Sequence, residues 1–166
     1  MKELTKDALH EMFECRDGGL FNRYTRSSRA MKGERAGSVK DRYRSVGLGG
    51  EYHLEHRLIF LMHYGYLPQF IDHIDGNPLN NRIENLRECT QTQNLANRQL
   101  FKTNNSGYKN VCWEKKNKKW RVRIGKDDKR IDGGLYTCID DAHKKACEMR
   151  EELFGEFANH GERVTA

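Results

Sequence analysis

The chain has 166 residues, room for one ordinary domain or two small ones and too little for a large multi-layer enzyme. Hydrophobic residues make up 36% and charged residues 33%, with a mean hydropathy of -0.94, so the core is thin and the surface ionic. The longest apolar run, residues 58–62, is five residues, which excludes a membrane-spanning helix and leaves no secretory signal; a soluble, cytoplasmic chain is expected.

In chain order, Leu4, Ala8, Leu9, Met12 and Phe13 share one helical face and predict an amphipathic helix over 3–14, ended by Asp17-Gly18-Gly19. Short strands are expected at Leu20-Phe21 and from Tyr43 to Leu48, with a turn at Gly49-Gly50. Leu54 to Tyr64 is the most apolar helix, with Gly65 as its C-terminal cap and Pro68 just beyond. Phe70, Ile71 and Ile74 then read as a strand, and Asp75-Gly76-Asn77-Pro78 as a turn. Thr90 and Gln93 have capping-box spacing, so a helix begins near Gln91 with Asn94 in its first or second turn. The polar stretch 99–106 marks a domain boundary. After it come three strands, Tyr108 to Trp113, Lys119 to Gly125 and Lys129 to Tyr136. A helix follows whose face is Ile139, Ala142, Ala146, Met149 and Leu153, with Thr137 and Asp140 as its cap. Three strands and one helix make a complete two-layer minidomain.

The net charge of +6 is unevenly placed. Residues 101–136 hold eleven Lys or Arg against four acids, and Arg23 to Arg44 holds eight against two. A single such lysine is most simply a solvated surface group, but two clusters interleaved with Tyr and Trp favour nucleic acid. The five cysteines, Cys15, Cys89, Cys112, Cys138 and Cys147, lack zinc-finger spacing and read as reduced thiols used as small apolar side chains.

One constellation carries chemistry: Asp72-His73-Ile74-Asp75-Gly76-Asn77, then Asn85-Leu86-Arg87, then Asn94-Leu95-Ala96-Asn97-Arg98. Cutting a phosphodiester needs a base to deprotonate water and positive charge at the phosphoryl oxygens. Histidine is the side chain suited to proton transfer near neutral pH, so His73 can be that base, while Asp72 and Asn94 offer hard oxygen ligands of the kind Mg²⁺ takes. In a regular strand Asp72 and His73 point opposite ways, so sharing a site requires a twisted or turning strand end. On spacing alone, a hydrogen-bonded His–Asp pair with turn-forming asparagines explains these residues equally well.

From Leu9 to Arg98 the sequence resembles the HNH endonucleases, particularly free-standing homing-type enzymes of phages. The resemblance runs through His56-Arg57-Leu58, Gly65-Tyr66-Leu67-Pro68, Ile71 to Asn77, Asn80-Asn81-Arg82, Glu84 to Arg87, Thr90, Gln93-Asn94 and Asn97-Arg98. It implies a ββα-metal (His-Me finger) site with core at about 68–98. His73 is then the general base, Asp72 and Asn94 hold one Mg²⁺ or Mn²⁺ ion, and Asn85 bridges the loop to fix the geometry around His73. Asn94 stands where the His-Asn-His version has its last His, which agrees with a hard ion rather than zinc. His56 and Arg57 are weaker candidates for a phosphate contact, and His63 reads as structural.

Residues Asn105 to Asn159 resemble the plant Apetala-two/ethylene-response-factor DNA-binding domain, through Ser106 to Val111, Trp113, Lys119 to Ile124, Arg130-Ile131, Gly134 to Tyr136, Ala142 and Phe154 to Asn159. A small sheet can enter the major groove with Arg121 and Arg123 projecting from one face and Trp120 from the other. Lys109, Arg130 and Arg98 complete the expected DNA contacts.

The expected protein is thus an α+β endonuclease, with an HNH domain over 1–100 and a three-stranded antiparallel sheet with one packed helix over 105–160. It would nick double-stranded DNA as a monomer or weak dimer, leaving 5′-phosphate and 3′-hydroxyl ends, in the host cytoplasm if phage-encoded. The rivals are a non-catalytic DNA-binding regulator and a restriction or defence nuclease of low specificity.

Overall fold

Thr5 accepts a hydrogen bond from the Ala8 amide at 3.3 Å and starts helix α1 (Lys6–Met12), whose Leu9 is fully buried. The computed structural model describes residues 4–100 and 103–161, and the chain divides into two compact units, 1–89 and 90–166. α1 is shorter than expected. Phe13–Arg16 forms strand β1, paired antiparallel with β2 (Gly19–Asn22). Asp17 and Gly18 between them have φ of 49° and 71°, the two positive values that a tight hairpin turn requires. The Asp-Gly pair therefore closes a hairpin rather than ending a helix. Gly18 is also a point of close approach, since a Cβ there would lie 2.6 Å from the Arg82 amide nitrogen and 2.9 Å from the Asn81 carbonyl carbon.

Strands β3 (Ser38–Lys40), β4 (Tyr43–Leu48) and β5 (Glu51–Leu54) form a meander, turning at Gly49-Gly50 as expected. Val46 and Leu48 alternate inward from β4. Helix α2 (Glu55–Tyr64) buries Glu55, His56 and residues 58–62, and Gly65 ends it in the left-handed conformation with its amide on Leu61 O. Arg57 donates to Pro68 O at 3.0 Å and Gln69 O at 3.3 Å, which fastens the entry to β6 (Phe70–His73). After a 3-10 turn at Ile83–Asn85, β7 (Leu86–Cys89) returns antiparallel, with Asp72 opposite Arg87 and His73 opposite Leu86. Phe13, Leu20, Val46, Leu58, Phe60 and Ile71 meet in one core.

The second unit opens with the expected capping box. Gln93 N donates to Thr90 Oγ1 at 3.2 Å, Thr90 N donates to Gln93 Oε1 at 2.8 Å, and α3 (Gln91–Ala96) follows. Strands β8 (Val111–Glu114), β9 (Lys119–Lys126) and β10 (Lys129–Tyr136) form an antiparallel sheet in the order β10-β9-β8. Helix α4 (Ile139–Phe154) covers it, bringing Ala142 and Ala146 against Val122 and Ile124. The expected meander and helix are both present. The N-cap of α4 is Cys138, without a side-chain bond, and Asp140 instead accepts from the Tyr108 hydroxyl at 3.1 Å.

The packing division falls at Cys89/Thr90, while the polar stretch 99–106 lies within the second unit. The cause is visible at the end of α3. Lys109 Nζ donates to Ala96 O and Arg98 O at 2.5 and 2.6 Å, and Asn159 Nδ2 donates to Asn97 O at 2.9 Å. No described helix is long and apolar enough to cross a membrane.

Candidate active site

β6 ends at His73 and the chain turns at once: Gly76 N donates to His73 O at 2.8 Å and Ile74 N to Asn85 O at 2.9 Å. Asp72 and His73 are consecutive, yet both are buried, with 4% and 7% of their surface exposed. A buried carboxylate needs compensation, and Arg87, its cross-strand partner, supplies it. Arg87 Nε and Nη2 both donate to Asp72 Oδ2, at 3.0 and 2.9 Å.

Asparagines shape the loop beyond His73. Asn85 Oδ1 accepts from Asp75 N at 3.0 Å, and its Nδ2 donates to Asp75 Oδ1 at 2.9 Å and Asn80 O at 2.8 Å. Asn85 thus ties Asp75 to Asn80 across the loop. Burial works upward on the Asp75 carboxyl, but bonds from Asn80, the Asn77 amide and Asn85, with the nearby charge of His73, hold it below its ordinary value. Asn81, next along the loop, meets His73 directly, its Oδ1 lying 2.9 Å from Nε2. Asn81 Nδ2 donates to Glu55 Oε2 at 2.8 Å. Glu55, 0% exposed, also accepts from Leu20 N at 3.0 Å and from Arg35 Nη2 at 3.0 Å, with Arg44 Nε at 3.9 Å.

Sequence reasoning passed over Glu55, Asn81 and Arg87 as functional groups. Their signals were present, as an acid heading the most apolar helix and as the Asn80-Asn81-Arg82 and Asn85-Leu86-Arg87 runs. Of the weak candidates for a phosphate contact, His56 is buried, and Arg57 is half-buried with its guanidinium on Pro68 O and Gln69 O. The His56 ring stands edge-on to His73 with centroids 5.0 Å apart and lies 5.6 Å from Tyr43. Burial, with the charges of His73 and Arg57 behind it, pushes the His56 imidazole down to about 3. It is therefore a neutral wall of the site. Part of the basic stretch 23–44 is structural too: Arg35 and Arg44 serve Glu55, Arg23 donates to Phe13 O at 2.9 Å, and Arg26 to Asn22 Oδ1 at 2.9 Å.

Asn94 lies half-buried on α3, its amide bonded to Thr90 O at 3.0 Å. Among the described residues no group of three or more His, Cys, Asp or Glu side chains is placed to hold a metal. The carboxylate of Asp72 is a hard oxygen donor, of the kind taken by an ion that keeps several waters.

On the sheet of the second unit, strand alternation places Arg121 and Arg123 on the face opposite Val122, Ile124 and α4. Trp120 packs toward the helix side, as expected, and Trp113 is exposed with its ring 5.0 Å from that of Trp120. Arg121 is already engaged by Asp132 and, at 3.0 Å, by Glu114; the bond to Asp132 leads in raising its guanidinium above the ordinary value. Arg130 and Arg98 are exposed. Lys109, expected to contact DNA, is instead directed at the carbonyls that end α3, and burial and the neighbouring Arg150 bring its ammonium down to about 8. All five cysteines are free thiols, and Cys15, Cys112 and Cys138 are exposed rather than the apolar filler expected.

Residues 53–96 match the HNH endonuclease family. Over 89 residues the chain is 41% identical to "Protein 3.8" of Escherichia phage T7, a span of 54% of this chain and 73% of that protein. No solved structure matches the chain. The strands β6 and β7, with the buried pair Asp72 and His73, lie inside the matched segment, so the chain carries an HNH endonuclease domain at residues 53–96 and is related to the phage protein.

Proposed function

We propose that the protein is a homing-type DNA endonuclease dependent on Mg²⁺ or Mn²⁺, which nicks one strand per active site and leaves 5′-phosphate and 3′-hydroxyl ends. The observation that carries it is His73, buried beside Asp72 at a turning strand end inside the HNH match. In this reading His73 takes the proton from the attacking water, and Asp72 with Asn94 would hold the ion, as the resemblance to ββα-metal nucleases implies. The ion, when bound, supplies positive charge to the scissile phosphate and the departing oxygen. Arg87 already engages Asp72 Oδ2, so an ion held there would compete with its guanidinium for that carboxylate. The C-terminal sheet and α4 support the Apetala-two-like reading of residues 105–160 as the DNA-holding module. Arg121, Arg123 and Arg130 lie on or beside the sheet's outer face, and Arg98 adds a basic group at the end of α3.

Incubation of the purified chain with supercoiled plasmid and host genomic DNA, with Mg²⁺ or with EDTA, tests this reading. Metal-dependent relaxed circles with ends mapping to one locus are expected. His73→Ala should abolish nicking while leaving DNA binding intact. Full nicking by that variant would remove His73 from the role of base, and binding without any metal-dependent cutting by the wild type would leave a DNA-binding regulator.

A further inference from the structure

The ring of His73 is tied to a buried carboxylate through a single amide, and that tie has a direction. Glu55 Oε1 and Oε2 face the Leu20 amide, the Arg35 guanidinium and, slightly farther, Arg44, so the group is an ionised acceptor surrounded by donors. An ionised carboxylate only accepts hydrogen bonds. The Asn81 amide must therefore turn Nδ2 toward Glu55, at 2.8 Å, and Oδ1 toward His73 Nε2, at 2.9 Å. The opposite flip would set two acceptors against each other in a place where Asn81 and Glu55 are 1% and 0% exposed. The Asn81 carbonyl in turn can only accept, so Nε2 must carry the proton. A neutral imidazole has one N–H, which leaves the lone pair on Nδ1.

We infer that Glu55, acting through Asn81, is a positioning pair that fixes His73 as the Nε2–H tautomer and holds Nδ1 as the atom that accepts the proton of the attacking water. The role rests on the nuclease reading above; the tautomer does not. Glu55 and Asn81 are positioning residues, since neither touches the reacting atoms. Wrong tautomers are costly in histidine bases because geometry survives while the lone pair faces the wrong way. The loop bonds of Asn85 and the close approach of Gly18 to the Asn81–Arg82 backbone hold Asn81 in register with the ring. His56, edge-on at 5.0 Å, closes one side of it.

The experiment is nitrogen-15 and carbon-13 NMR on the full chain labelled at histidine, near pH 8.5, about two units above the ordinary imidazole value of ~6.5. His73→Gln identifies the His73 signals by difference. The wild type should show a protonated Nε2 that exchanges slowly with solvent; a proton on Nδ1 would overturn the inference whether or not the protein cuts DNA. In parallel, Asn81→Ala should lose that slow exchange and lower kcat by about tenfold or more with KM nearly unchanged. Thermal melting checks that the variant is folded. The double variant Glu55→Gln with Asn81→Asp reverses the charge order but keeps a donor toward Asp and an acceptor toward Nε2. It should recover the protected proton and most of kcat. An unaltered kcat in folded Asn81→Ala would also overturn the proposal. Absence of cutting by the wild type, with the Nε2–H proton in place, would instead fault the nuclease reading alone.

Discussion

The two units bury charge by opposite means. In the first, Glu55 lies at 0% exposure with Arg35 and Arg44 as counter-ions, and Asp72 lies under Arg87. In the second, Arg150 is 1% exposed and makes its bonds to groups other than carboxylates: Lys109 O at 2.8 Å, Asn110 Oδ1 at 3.2 Å, Cys147 Sγ and His160 Nδ1. Lys109 beside it likewise spends its ammonium on carbonyls. Ion pairing fixes direction, because a carboxylate accepts and never donates, and that orders the amide between Glu55 and the His73 ring. Carbonyl solvation fixes position without polarity, which suits a joint between α3, the start of the sheet and α4.

The sharpest way to break this contrast is to remove the anion of the first unit. Glu55→Ala leaves Arg35, Leu20 N and Asn81 without their acceptor and should cost about 3–5 kcal/mol in denaturant unfolding. The second unit has its own pH window. Lys109 has a folded value of about 8 against 10.5, so between them the unfolded chain binds the extra proton and stability rises with pH. Because Lys109 is only partly buried, solvent screening keeps the gain by pH 10.5 to about 1–2 kcal/mol, and Lys109→Met should remove it from the pH profile of unfolding. For the first unit the same sign applies lower down. His56 titrates at about 3 when folded and 6.5 when not, so stability is complete above 6.5 and falls as the pH drops toward 3. A loss of about 2 kcal/mol between pH 7 and pH 5 is expected, absent in His56→Phe. The smallest effect is on the sheet face. Asp132→Asn frees Arg121 from one carboxylate and should tighten DNA binding several-fold, with a steeper salt dependence; unchanged binding would place the contacts away from Arg121.

Much of the scaffold was legible because its signals are local. The Thr90 capping box, the Gly65 cap, the Gly49-Gly50 turn and the alternation along β9 each depend on residues within a few positions. β1 was not legible, since Leu9, Met12 and Phe13 satisfy a helical period until the Asp17-Gly18 turn claims the chain for a hairpin. The candidate base and its motif neighbours were readable from their spacing and resemblance. The supports of the site were not: Glu55 finds Asn81 and Leu20 across 26 and 35 residues, and the inward turn of Lys109 depends on where α3 ends. Long-range partners decide whether a charged side chain faces solvent or the interior, and a count of basic residues treats both alike.

The close approach of Gly18 to Asn81 and Arg82 gives the N-terminal hairpin a share in any chemistry at His73. Because the turn abuts the loop backbone, Gly18→Val would push on the segment that carries Asn81 as well as straining a positive φ. Removing the first hairpin, although it lies before the matched family segment, would take away the stop against which that loop rests. The smallest fragment able to cut should therefore begin upstream of β1, well before residue 53 where the recognisable motif starts.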